Sequence, residues 1–137
     1  MEILLAKNAG FCFGVRRAVE TAKSAVKEKR SKDPCAVVYT YGELIHNRTV
    51  VEELRKEGIA PIDSLESIKE GDSVVIRSHG VGERVYDILR ARGANIIDAT
   101  CPFVANIHRI VNAAYADGER VFIVGDKNHP EPIGING

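Results

Sequence analysis

Short apolar runs alternate with segments of helical periodicity along the whole chain, and this alternation restricts the fold more than any other feature. Ile3–Ala6, Ala36–Tyr41, Asp72–Ser78, Asn95–Ala99 and Val121–Val124 have the composition of strands. Ile59–Ile62 reads as a further short strand. Between them, Val15–Lys29 sets Val15, Ala18, Val19, Ala22 and Val26 on one helical face, with Lys, Arg and Glu on the other. Arg48–Glu57, Gly82–Arg92 and Phe103–Ala116 are also predicted helices, the first two closed by Gly58 and Gly93. Strands and helices in this order predict an α/β fold of βαβ units on a parallel sheet. The alternation breaks off after Val121–Val124, so a second set of units is expected to be incomplete.

Composition narrows the function. Nineteen basic residues balance nineteen acidic ones, so no overall field draws the chain to nucleic acid or anionic lipid. Trp is absent and aromatics are few, which argues against a base-stacking surface. No apolar run reaches membrane-spanning length, and Met1-Glu2-Ile3-Leu4-Leu5 carries no secretory or transit pattern. Three cysteines without disulfide-framework spacing suit a reducing compartment, so a cytoplasmic location is expected.

Two of those cysteines occupy matching places. Cys12 lies in Gly10-Phe11-Cys12-Phe13-Gly14-Val15 and Cys101 in Asp98-Ala99-Thr100-Cys101-Pro102, each between a predicted strand and a predicted helix. The positive end of a helix dipole favours the thiolate, which is a nucleophile, a redox group or a metal ligand. A free cysteine is more often a small buried apolar residue, but two at equivalent junctions point to one shared site. In a parallel sheet the carboxyl ends of the strands form one edge, where ligands bind. His46, His79 and His129 each follow a predicted strand, so five reactive side chains are expected on that edge. Cys35 precedes its strand and belongs at the opposite edge as an incidental thiol. His108, inside a predicted helix beside Arg109, reads as a surface residue. Arg77 either binds an anion or is paired, and Glu131 is either a proton donor or an ordinary surface acid. Imidazoles with helix N-termini suit a phosphate or diphosphate, with zinc as the competing reading. Neither a paired-ligand zinc spacing nor a nucleotide-binding glycine motif is present.

The stretches Gly10–Val15 (GFCFGV), Gly42–Asn47 (GELIHN), Ile76–Gly80 (IRSHG), Asp98–Val104 (DATCPFV) and His129–Glu131 (HPE), in that order, resemble the 4-hydroxy-3-methylbut-2-enyl diphosphate reductases. These are iron–sulfur enzymes that end the methylerythritol phosphate route to isoprenoids. The resemblance implies that Cys12 and Cys101 are two of three thiolate ligands of a 4Fe–4S cluster. It implies that His46, His79 and His129 line the substrate pocket around the diphosphate, with His129 also handling protons near the hydroxyl. Glu131 would be the acid that delivers protons. The implied reaction is reductive dehydroxylation of the allylic diphosphate to isopentenyl and dimethylallyl diphosphate, with ferredoxin or flavodoxin as electron donor.

The implied architecture is three similar α/β lobes around a central cluster. Residues 1–97 would form one lobe and residues 98–137 the start of a second. The family's third cluster cysteine comes from a later part of its chain, so this sequence is expected to be an N-terminal portion without reductase activity by itself. Two other readings stand beside this one. One is a phosphate-binding α/β module with structural cysteines. The other is a related iron–sulfur enzyme with another substrate, such as a quinolinate-synthase-like protein.

Overall fold

The computed structural model describes residues 2–7 and 9–137. Four strands form one wholly parallel sheet: β1 (Val38–Tyr41), β2 (Ile59–Ile62), β3 (Ser73–Ile76) and β4 (Asn95–Asp98), in the spatial order β2-β1-β3-β4. The helices are α1 (Phe13–Lys32), α2 (Arg48–Lys56), α3 (Glu83–Ala91), α4 (Pro102–Ala116) and α5 (Pro130–Asn136).

Side chains alternate across a strand, so each face of this sheet needs its own cover. On one face Val38, Ile59 and Val75 pack with Ala18, Ala22 and Val26 of α1 and Leu54 of α2. The small residues of α1 let that long helix lie close to the sheet. On the other face Val74 and Ile76 pack with Leu89 of α3. Leu65 and Ile68 join them from the crossover that carries the chain from β2 past β1 to β3. The glycine after α3 does what the sequence predicts. Gly93, at φ +68°, donates to Arg90 O, and Ala94 donates to Leu89 O, which satisfies the last carbonyls of the helix and turns the chain into β4. β2 is an edge strand, and Pro61 within it is tolerated because Gly58 O and Ile62 O are the groups facing β1.

Two expected strands lie outside the sheet. Ile3, Leu4 and Leu5 are 73, 84 and 89 % exposed, and Phe122 and Val124 are 80 and 99 % exposed. Apolar, β-favouring composition makes a strand only where a neighbour offers a hydrogen-bonding edge, and no strand runs beside either segment among the described residues. α4 likewise buries none of its residues, leaving Phe103, Ile107, Ile110 and Tyr115 exposed. One helix was not expected: α5 contains two prolines and a glycine. It forms because Pro130 occupies the first helical position, where its missing N–H is not needed, and because His129 caps it. Among the described residues no helix is long and apolar enough to cross a membrane.

Candidate functional site

The strand order creates the site. From β1 the chain moves outward to β2, then returns to β3 on β1's other side. The loops leaving β1 and β3 therefore diverge, and the crevice between them is where parallel sheets hold ligands. His46 lies in the loop after β1, and His79 in the turn after β3. Their ring centroids are 5.3 Å apart. His129 reaches the same spot from the N-terminus of α5, with its centroid 6.0 Å from that of His46 and 5.5 Å from that of His79. One ring nitrogen from each of the three lies within 4.8 Å of those of the other two.

Each imidazole is held by local structure. Asn47, next to His46, caps α2 by accepting from Val50 N at 3.2 Å, a bond worth about 1 kcal/mol. The His79 turn closes through Gly80 N donating to Arg77 O at 3.0 Å. His129 is itself a cap: its Nδ1 accepts from Glu131 N at 3.2 Å. That bond fixes the neutral tautomer with the proton on Nε2. Nε2–H is then the ring's remaining donor, and Nε2 could ligate a metal only if the proton moved to Nδ1 and broke the cap.

Burial holds the His79 imidazolium in check, and positive charge at His46, Arg77 and His129 adds to the effect, so the group is pushed down to about 4. His79 is neutral at pH 7, and its Nδ1 is buried without a partner. Glu131 is half-buried in the first turn of α5.

Both cysteines precede helices as expected, but only Cys101 follows a strand of the sheet. Cys12 caps α1 and Cys101 caps α4, neither using its side chain in the cap. Cys101 N donates to Ser78 O at 2.9 Å, tying its turn to the residue before His79. α1 meets that turn directly. Arg17 Nη1 donates to Thr100 O at 2.8 Å. A Cβ added at Gly14 would stand 2.7 Å from Cys101 Sγ and 2.9 Å from Cys101 Cβ. Only glycine fits there, two residues from Cys12, so the start of α1 lies against the second thiol. Cys35 is separated from Cys12 by the length of α1, which spans 20 residues, or about 30 Å, so the two cannot share a site.

His108 departs from its expected place on the surface. Its ring packs where a Cβ on Gly80 or Gly134 would go, and its Nε2 is buried without a partner. The sequence held one signal for this: position 108 is two helical turns from Cys101 on α4.

Taken together, sheet, thiols and imidazoles define a doubly covered parallel α/β lobe whose carboxyl edge carries a cluster of three histidines, with two cysteine-capped helices. The chain belongs to the LytB protein family, whose model matches residues 3–137. It is 48 % identical over 139 residues to the 4-hydroxy-3-methylbut-2-enyl diphosphate reductase of Thermoanaerobacter sp. (strain X514), covering 100 % of this chain and 47 % of the relative. The reductase of Aquifex aeolicus (strain VF5) is 45 % identical over 137 residues, covering 100 % of this chain and 45 % of its own length. Two solved structures share the fold. One is of (E)-4-hydroxy-3-methyl-but-2-enyl diphosphate reductase, the terminal enzyme of the non-mevalonate pathway. It matches with TM-score 0.82 at 45 % identity, covering 98 % of this chain and 46 % of that one. The other is the Plasmodium falciparum E-1-hydroxy-2-methyl-but-2-enyl-4-diphosphate reductase, at TM-score 0.87 and 31 % identity over 94 % of this chain and 39 % of that one. The chain thus spans about half the length of the relatives it matches.

Proposed function

We propose that this chain supplies the diphosphate-anchoring edge and two cluster thiolates of a reductase that converts 4-hydroxy-3-methylbut-2-enyl diphosphate to isopentenyl and dimethylallyl diphosphate. The observation that carries this reading is the convergence of His46, His79 and His129 at the crevice between β1 and β3, with His129 fixed as an Nε2–H donor. Imidazole N–H donors hold phosphate oxygens, and the crevice orients the carbon skeleton relative to the thiols.

The residues present fit part of an iron–sulfur group. Cys12 and Cys101 are free thiols at helix N-termini, with Gly14, two residues after Cys12, packed against Cys101, and would hold two of the cluster's irons. When bound, a 4Fe–4S cluster supplies electrons and an open iron site that polarises the substrate hydroxyl as a Lewis acid. The reaction consumes two electrons and two protons and releases water. Glu131 delivers protons, and His129 holds its Nε2 proton toward the hydroxyl. Ferredoxin or flavodoxin is the electron donor, and a cytoplasmic setting suits the free thiols. Residues 1–97 form one lobe and residues 98–137 begin a second, a division that falls at the last residue of β4.

Anaerobic reconstitution with iron and sulfide tests the reading. Broad visible absorption is expected from a chain extended to the length of its relatives, with loss in Cys12→Ser and Cys101→Ser. Turnover is expected from that longer chain and not from the 137-residue chain. Robust product formation by the short chain, or full absorption in both serine variants, would refute it.

A further inference from the structure

With His79 neutral at pH 7, the histidine cluster lacks a permanent charge at one of its three corners, and donors without charge do little to offset the desolvation of a diphosphate. A candidate for the missing charge is Arg77, which directly follows β3 and precedes His79 by two residues. Its sequence left two options, an anion-binding role or an ordinary ion pair. The structure removes the second. Arg77 is half-buried, its Nε is buried without a hydrogen-bond partner, and no carboxylate pairs with it among the described residues. Asp63 and Tyr41 line the same cavity of about 300 Å³ but neither forms a bond to it. Room for the guanidinium is made by Gly42, where an added Cβ would come within 2.7 Å of Arg77 Nη1. Gly42 also has φ +71°, so its backbone favours glycine independently.

A cation half-withdrawn from water with no counter-ion is costly, and burial pushes the Arg77 guanidinium down accordingly. Such a group is retained where an anion arrives later. We propose that Arg77 is the charge behind the histidine pocket: an uncompensated guanidinium at the foot of the His79 turn that draws diphosphate into the crevice and holds it there. Arg77 acts from behind the imidazoles as a positioning and electrostatic residue, and the histidines make the contacts. The proposal rests on the reading of the histidine crevice as a diphosphate site.

Calorimetric titration of the chain with inorganic diphosphate, at low and high salt, tests it. Arg77→Met is expected to weaken binding about tenfold at low ionic strength and to flatten its salt dependence. Arg77→Lys keeps the charge and is expected to retain most of the affinity. A purely structural arginine would not move a third readout, the titration of His79 followed by NMR. His79 faces His46, His129 and Arg77, and removal of the Arg77 charge is expected to raise its midpoint. If Arg77→Met does not fold, Arg77→Gln against Arg77→Lys makes the same comparison of charge with no charge. Unchanged affinity in the uncharged variant, with the parent chain binding, overturns this proposal alone. Failure of the parent to bind diphosphate at all overturns the pocket reading and this proposal with it.

Discussion

Gly14→Ala probes the contact between the start of α1 and Cys101. Inside a helix this change gains up to about 1 kcal/mol from lower chain entropy, and less in the first turn, where Gly14 stands. Here the new methyl group would sit 2.7 Å from Cys101 Sγ and 2.9 Å from Cys101 Cβ. Rotation about χ1 could swing the sulfur away, but it leaves Cys101 Cβ where it is. Relief therefore requires the backbone of α1 or of the Thr100–Cys101 turn to move, and Arg17 ties those two together through Thr100 O. Overpacking of this kind costs about 1–3 kcal/mol. Set against the propensity gain, the net loss is expected to be about 1–2 kcal/mol, or a fall in Tm of roughly 3–10 °C. Urea and thermal unfolding measure it. Gly125→Ala is the control, because its Cβ would meet only Pro132 Cγ at an ordinary 3.7 Å. Cys101→Gly removes both clashing atoms, so the double variant should lose less than the sum of the singles. A Gly14→Ala chain as stable as its parent, with additive behaviour in the double variant, would refute the packing of α1 on the second thiol.

Other outcomes follow from the same geometry. His79 holds its proton less tightly when folded, at about 4 against 6.5 unfolded. Stability should thus be full above pH 6.5 and decline as pH falls toward 4. With His79 half exposed the loss is discounted to about 1 kcal/mol, and His79→Gln should flatten that part of the curve in unfolding measured against pH. His129→Ala removes the cap of α5 and the fixed tautomer. It should cost about 1 kcal/mol and weaken diphosphate binding, whereas His129→Asn should recover the stability without the binding. The exposed Ile3–Leu5, Phe122 and Val124 should make the 137-residue chain associate as its concentration rises. A monodisperse monomer at high concentration in sedimentation would count against this.

Much of this molecule is legible in its residues because local patterns sufficed. The stripe Ala18-Ala22-Val26 marks α1, and the run Val74-Val75-Ile76 marks a strand buried on both faces. The placing of His46, His79 and Cys101 after strands that share a carboxyl end needed only the rule for parallel sheets, whereas Cys12 follows no strand of the sheet. What was not legible depends on tertiary partners. The strand order, and with it the crevice between β1 and β3, follows from which faces are covered rather than from any single segment. Ile3–Ala6 and Val121–Val124 have strand composition without a strand beside them. α5 hides behind residues that break helices elsewhere, and it depends on an imidazole cap, which is an uncommon way to begin a helix. His108 reads as surface because its neighbour Arg109 is charged, while the ring itself turns in under Gly80 and Gly134.

The proline in β2 has a consequence for how copies of this chain could meet. The positions of β2 that point away from β1 are Ile59 and Pro61, and proline offers no N–H to a newcomer. The far margin, at β4, turns the N–H groups of Ile96 and Asp98 outward, where they can donate to a visiting strand. Among the described residues the β4 rim is the better template for another strand, since Pro61 removes one of the outward donors of β2. Joining β4 rim to β4 rim would use up that opening on both molecules, so growth by that route halts at a pair.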